Sequence, residues 1–226
     1  MAFLLFAAVV LLICGAAAAF QFAQRQARVR AVGALAQRVG FTFAPTDASG
    51  IRDMPFALFR LGHGRKAELV ISGTHNGLPL QIFDYQYYVQ GNRSRDYHRF
   101  TCAILTIPAA CPRLRLSREN VITLLEDHLT HHYVKLEYDD FNRRFLVNCE
   151  DQKFAFALLD GQMMEWLLAA DRQDSLARFD RVEIVGPWVL LAHMRIPPAS
   201  WLNLGTWLDT FHSHIPALVY STFPNK

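Results

Sequence analysis

Between Glu68 and Val89, apolar and β-branched residues run up to His75-Asn76-Gly77 and away from it again. Asn76 and Gly77 both tolerate the positive φ angles of a type I′ turn, so the pattern predicts a long antiparallel hairpin that seeds a sheet. In the first arm Leu69, Ile71 and Gly73 alternate with Val70 and Ser72. In the second, Leu80, Ile82 and Asp84 alternate with Gln81, Phe83 and Tyr85. Bulky residues stand on both faces, which predicts strands covered from both sides.

The same reading extends along the chain. Phe22 to Val39 carries apolar residues at three- and four-residue spacing and predicts a helix ended by Gly40. Phe41-Thr42-Phe43 is a short strand, and Pro45 to Asp53 is a loop. Gly62-x-Gly64 lacks a third glycine and precedes a strand, so it reads as a turn rather than a phosphate cradle. Asn92 to Arg99 is a polar loop, and Phe100 to Ile107 is a strand. The chain is expected to reverse across Pro108 to Arg113, leaving Leu114 to Leu116 as a short strand. Ser117 is the expected N-cap of a helix reaching His131. Tyr133 to Tyr138 pairs with Arg144 to Cys149, and Asp151 caps the next helix, which breaks at Asp160-Gly161 and resumes over Met163 to Ala170. Arg181 to Val185 and Val189 to His193 form a last hairpin around Gly186-Pro187, and Trp201 to His212 is an amphipathic closing helix. These elements predict an α+β fold, a mainly antiparallel sheet built from hairpins with helices packed against it.

Ala2 to Phe20 is uncharged, and as a helix it would span roughly one hydrocarbon core. Ala17-Ala18-Ala19 offers a small-residue cleavage site, but no positive side chain precedes Phe20 as a signal peptide requires, and whether the segment is cleaved stays open. The cations follow it, at Arg25, Arg28, Arg30 and Arg38, with no acid before Asp47. The positive-inside rule then places the N-terminus outside and a globular domain in the cytoplasm, on a single-pass helix of the plasma (inner) membrane. The expected organisation is a transmembrane helix over 1–22, a juxtamembrane basic helix over 23–40 whose arginines meet anionic headgroups, and one α+β domain over 41–226.

Composition adds little to this. The 52% hydrophobic content marks an ordered chain, and a net charge of +3 spread along it predicts no nucleic-acid partner. Cys14 lies in the apolar run; Cys102, Cys111 and Cys149 form no C-x-x-C pair, which fits buried reduced thiols. Were the domain exported, a reversal near Pro108 would let Cys102 and Cys111 meet.

Candidate chemistry is sparse. His128 and His132 stand four apart on the predicted helix, a spacing that lets two imidazoles share a metal, but Leu129 occupies the position where a metalloprotease needs glutamate. The alternative is a polar helix end. Asp84 sits mid-strand among apolar residues and needs a partner, expected at Arg99 or His98 on the next strand. No nucleophile elbow or Walker loop occurs, and no cofactor is expected.

Gly40-Phe41, Phe56-x-x-Phe59 with Gly62, Gly73-x-x-x-Gly77-x-Pro79, Phe83-Asp84-Tyr85, Pro108, Pro112 with Leu114 and Leu116, and Asp140 to Phe145 occur together. In these motifs, scattered over roughly residues 40 to 215, the chain resembles a family of bacterial, actinobacterial-type membrane-anchored proteins with no assigned activity; it departs from them at Asn120, where a more acidic helix start is expected. The resemblance implies a membrane-proximal domain and transfers no catalytic residue. The expected function is non-catalytic: an accessory or scaffold subunit that binds a membrane protein partner and the bilayer, with tyrosines and tryptophans (Tyr85, Tyr87, Tyr88, Trp188, Trp201, Trp207) partly available to the interface. The alternatives are a metal-dependent hydrolase built on His128 and His132, or a lipid or small-ligand sensor.

Overall fold

A computed structural model describes residues 2–92, 94–118, 132–172 and 179–225, with side chains at Phe6 and from residue 11 onward. The chain opens with one helix, α1 (Ala2–Val39), about 57 Å long at 1.5 Å per residue. Among the described residues, six strands follow as a single antiparallel sheet: β1 (Thr42–Thr46), β2 (His63–His75), β3 (Leu78–Gln90), β4 (Arg95–Arg118), β5 (Phe145–Cys149) and β6 (Arg181–Met194). Short helices α2 (Asp139–Asn142), α3 (Gln152–Leu158) and α4 (Gly161–Arg172) lie between β4 and β6, and α5 (Trp201–His214) and α6 (Ala217–Thr222) close the chain. This is the expected α+β class.

The hairpin that seeds the sheet is present. Asn76 and Gly77 turn at φ 48° and 84°, and β2 pairs β3 from His75↔Leu78 back to His63↔Tyr88. The register slips twice, between His63↔Tyr88 and Lys66↔Gln86 and between Glu68↔Asp84 and Ile71↔Ile82, and at the second slip Leu69 takes φ 56°. A left-handed leucine costs about 1–2 kcal/mol. The bulge turns Leu69 towards the same core as Val32 of α1, beside Glu68.

Two expected reversals are absent. β4 runs unbroken for 24 residues through Pro108 and Pro112, and β6 runs unbroken through Gly186-Pro187. Proline interrupts a ladder only where a partner needs its N–H. Along one edge of β4, β3 pairs residues 95–105 and β5 pairs residues 114–118, so the prolines fall in the interval between two partners. That interval is bridged at Ala109 by Pro224, with Ala110 N–H donating to Phe223. Along the other edge, β6 bends with β4, Gly186 at φ 59° facing Cys111 across a register shift. Cys102 and Cys111 therefore lie on one extended strand and cannot meet; all four cysteines are free. Arg95 to Arg99 belongs to β4 rather than to a loop. Ser117 likewise lies within β4, buried and paired with Leu146 and Arg181, so it caps no helix. The helix expected over residues 119–131 falls outside the described residues.

Each face of the sheet has its own core. One is covered by the second half of α1 (Val32, Leu35, Ala36) and by α3 to α6, with Phe154, Leu167, Trp201, Leu208 and Phe211 buried against Leu80, Ile82 and Leu105. α4 is fixed there by Asp171, which is 2% exposed at its side chain and pairs with Arg118 at 2.6 Å and Arg144 at 2.7 Å. The other face is covered by the segment between β1 and β2, whose Ile51, Phe56, Leu58 and Phe59 pack on Phe83, Tyr85, Cys102 and Leu190. Buried Glu183 holds that segment, accepting from the Ala57 and Leu58 amides at 2.6 and 2.9 Å while paired with Arg181. Phe56→Ala should therefore cost about 3–5 kcal/mol in urea unfolding. The same truncation at Phe156, which is 50% exposed, should cost less than about 1 kcal/mol. Equal losses would contradict this assignment of the second core.

Candidate functional site: the groove between α1 and the sheet

Asp84 follows Ile82 by two residues on β3 and so points to the α1 side of the sheet. It is 4% exposed. A carboxylate so placed is costly unless its lone pairs are filled. They are. Arg28 of α1 grips it with both ends of its guanidinium, Nε to Oδ2 at 2.6 Å and Nη2 to Oδ1 at 2.7 Å. Arg195, just beyond β6, donates to Oδ2 at 3.0 and 3.2 Å, and the Thr101 hydroxyl of β4 donates to Oδ1 at 3.2 Å. Thr101 in turn accepts from the Ile196 amide at 3.1 Å, and Arg28 also donates to the Ile196 carbonyl at 2.9 Å and lies over the Trp201 ring at 5.7 Å. One carboxylate thus joins α1, β3, β4 and the link into α5. Arg28 reaches it because it stands one turn before Val32, on the face of α1 that packs on the sheet.

Above this network lies an open groove of about 950 Å³, lined by Gln21, Gln24, Arg25 and Arg28 of α1, by Lys66, Glu68, Gln86 and Arg99 of the sheet, and by Arg195 to Pro198. It presents five cations to one carboxylate. Glu68 takes Lys66 at 2.6 Å and Arg25 at 3.2 Å, pairs exposed enough to contribute little stability. Arg99 stacks on Tyr97 at 5.5 Å and has no carboxylate partner among the described residues.

The expected partners of Asp84 on the next strand are not the ones it has. Arg99 faces Gln86 across the ladder and His98 stacks on Tyr87 on the opposite face, while the cations come from distant segments. Of the four arginines expected at headgroups, Arg25 and Arg28 line the groove, and Arg30 and Arg38 are exposed. Asn76, beyond its turn role, donates to Asp209 of α5 at 2.7 Å, beside His75 on the same carboxylate. His132 is exposed and its carbonyl accepts from the Cys149 amide at 3.0 Å; His128 lies outside the described residues. Among the described residues, no three His, Cys, Asp or Glu side chains gather as for a metal. Burial pushes the Cys111 thiol up to about 12 and the Cys149 thiol up to about 11, and raises Cys102 well above its usual value, so these are poor nucleophiles. Of the aromatics expected at an interface, Tyr85, Tyr87, Trp201 and Trp207 are buried in the core. Arg195 and Thr101 were not legible as site residues, because nothing in their neighbourhood marks the register that brings them to Asp84.

Comparison with known proteins gives a fold likeness. No protein family and no curated protein matches the sequence. Among solved structures, the chain is similar to the mycobacterial trehalose monomycolate transport factor A, TtfA, with a TM-score of 0.60 and 14% identity, over 84% of this chain and 96% of that one. At this identity the likeness concerns the fold.

The network predicts unequal costs for its two arginines. Arg28 is 15% exposed and Arg195 is 36% exposed at the side chain. Arg28→Ala should cost about 3 kcal/mol, because it leaves a buried charge short of its main partner, and Arg195→Ala about 1 kcal/mol. Denaturant unfolding of both variants measures this, and the reverse order would contradict the assignment.

Proposed function

We propose that the chain is a membrane-anchored, non-catalytic protein-binding domain, an accessory or scaffold subunit of a membrane protein complex, held on the cytoplasmic side of the plasma membrane with its N-terminus outside. The observation that carries this reading is the first half of α1. Phe6, Leu11, Leu12, Ile13, Phe20 and Phe22 are each between 63% and 73% exposed, so the domain leaves this apolar surface uncovered. Apolar surface of that extent needs lipid or another protein against it. Among the described residues, no helix is long and apolar enough to cross a membrane. The uncharged run Ala2–Phe20 extends into positions whose side chains lie outside the description, and its full length in the sequence supports the anchor.

The site supports a positional role. Both oxygens of Asp84, the most buried acid on the α1 side of the β2–β3 hairpin, are occupied by donors, which leaves it no lone pair in reach of a substrate proton. The likeness to a transport factor fits an accessory role at a coarse level.

Purification of the full chain from its own membranes in mild detergent tests the reading. A fixed set of membrane subunits should co-purify at constant stoichiometry. Recovery of the chain alone, as monomer or homo-oligomer, would contradict it.

A further inference from the structure

Contacts along α1 fix its direction relative to the sheet. Thr42, just past the C-terminus of α1, pairs with Ser72; Arg28 meets Asp84; Gln21 and Gln24 share the groove with Gln86 and Arg99. Moving towards the N-terminus of α1 is therefore moving towards the tip of the β3–β4 hairpin. From Asp84 to Gln90 is six strand residues, about 20 Å. From Arg28 back to Phe20 is eight helical residues, about 12 Å. The hairpin thus reaches the level at which the apolar run of α1 begins. The residues it carries on the α1 side are those of a membrane interface. Tyr88 faces Tyr97 across the ladder, Arg95 lies over Tyr88 at 4.7 Å, and Arg99 lies over Tyr97, which is 45% exposed.

We propose that the groove between α1 and the β3–β4 hairpin holds the phosphate-bearing headgroup of an anionic phospholipid, drawn from the bilayer that surrounds the first half of α1. The site rests on the anchored reading of α1. Arg99 and Lys66 supply the charge from the sheet and Arg25 from the helix, an excess of two over Glu68, which pairs with Lys66 and Arg25, around a space that Gln21, Gln24 and Gln86 line with donors. Arg28 and Arg195 are committed to Asp84 and form the floor. Tyr88 and Tyr97 sit at headgroup depth beside it. This goes beyond diffuse attraction of a basic helix to a charged surface, because the cations come from three separate elements and converge.

The full chain, reconstituted in vesicles of mixed phosphatidylcholine and phosphatidylglycerol, is extracted in mild detergent and its retained lipid is identified by mass spectrometry. Phosphatidylglycerol should be enriched over its share of the vesicle. In the Lys66→Gln/Arg99→Gln variant, which changes two exposed side chains, the enrichment should fall about tenfold, since each cation near a membrane surface contributes appreciably. The control variant Arg30→Gln/Arg38→Gln removes the same charge from α1 outside the groove and should retain the enrichment. Equal loss in both variants, or retained lipid in the vesicle ratio, would overturn the site. Inorganic phosphate titrated into the chain in pure phosphatidylcholine vesicles provides the second arm. Binding that the groove variant abolishes, without lipid enrichment, would assign the groove to a soluble phosphorylated molecule and overturn the lipid. Failure of the anchor itself is recognised separately. Cys14, exposed on α1, should be shielded from a charged thiol reagent in the vesicle, and its ready modification there would overturn the anchor and the lipid site together.

Discussion

A buried carboxylate in the middle of a strand must be paid for in hydrogen bonds, and in this protein the settlement organises the molecule. Asp84 draws Arg28 from 56 residues before it and Arg195 from 111 residues after it, and takes Thr101 from the adjoining strand. The two arginines come from segments far from Asp84 and from each other in sequence. Removing two or three ions from water costs several kcal/mol each, and the geometry offsets this only because the guanidinium of Arg28 is bidentate and every lone pair is used. The consequence is directional: α1 cannot rotate or slide on the sheet without breaking that grip. A helix whose first half carries uncovered apolar side chains is thereby joined rigidly to the domain by its second half.

The bulge at Leu69 belongs to the same arrangement. It costs backbone strain, and in return it turns Glu68 to the groove and Leu69 to the core against α1. Stability and the placement of the groove therefore share one set of residues.

The seeding hairpin, the closing helix, the Asp151 cap and the α+β class were legible in the sequence because each is a local pattern: an Asn-Gly turn, a helical stripe, a side chain bonded three residues on. The unbroken β4 and β6 were not. Proline at 108, 112 and 187 signals a reversal locally, and only the tertiary arrangement leaves those positions without a ladder partner that needs their N–H. Asp84 announced itself as a buried acid needing a cation. Its partners could not be named, since ion pairs over more than fifty residues leave no periodic trace and the two arginines look like any others. The unequal exposure of the aromatics was equally hidden, because Tyr85 and Tyr88 differ only in which side of the strand they take and what lies over it.

The central claim is that the second half of α1 folds as one unit with the sheet through Asp84. Amide hydrogen exchange over residues 21–39 of the full chain, with and without Asp84→Asn, addresses it most directly. In the parent chain these amides should exchange as slowly as those of β3, through global unfolding, and in the variant they should open far faster while β3 and β4 stay protected. Fast exchange over 21–39 in the parent chain, independent of the sheet, would contradict the account.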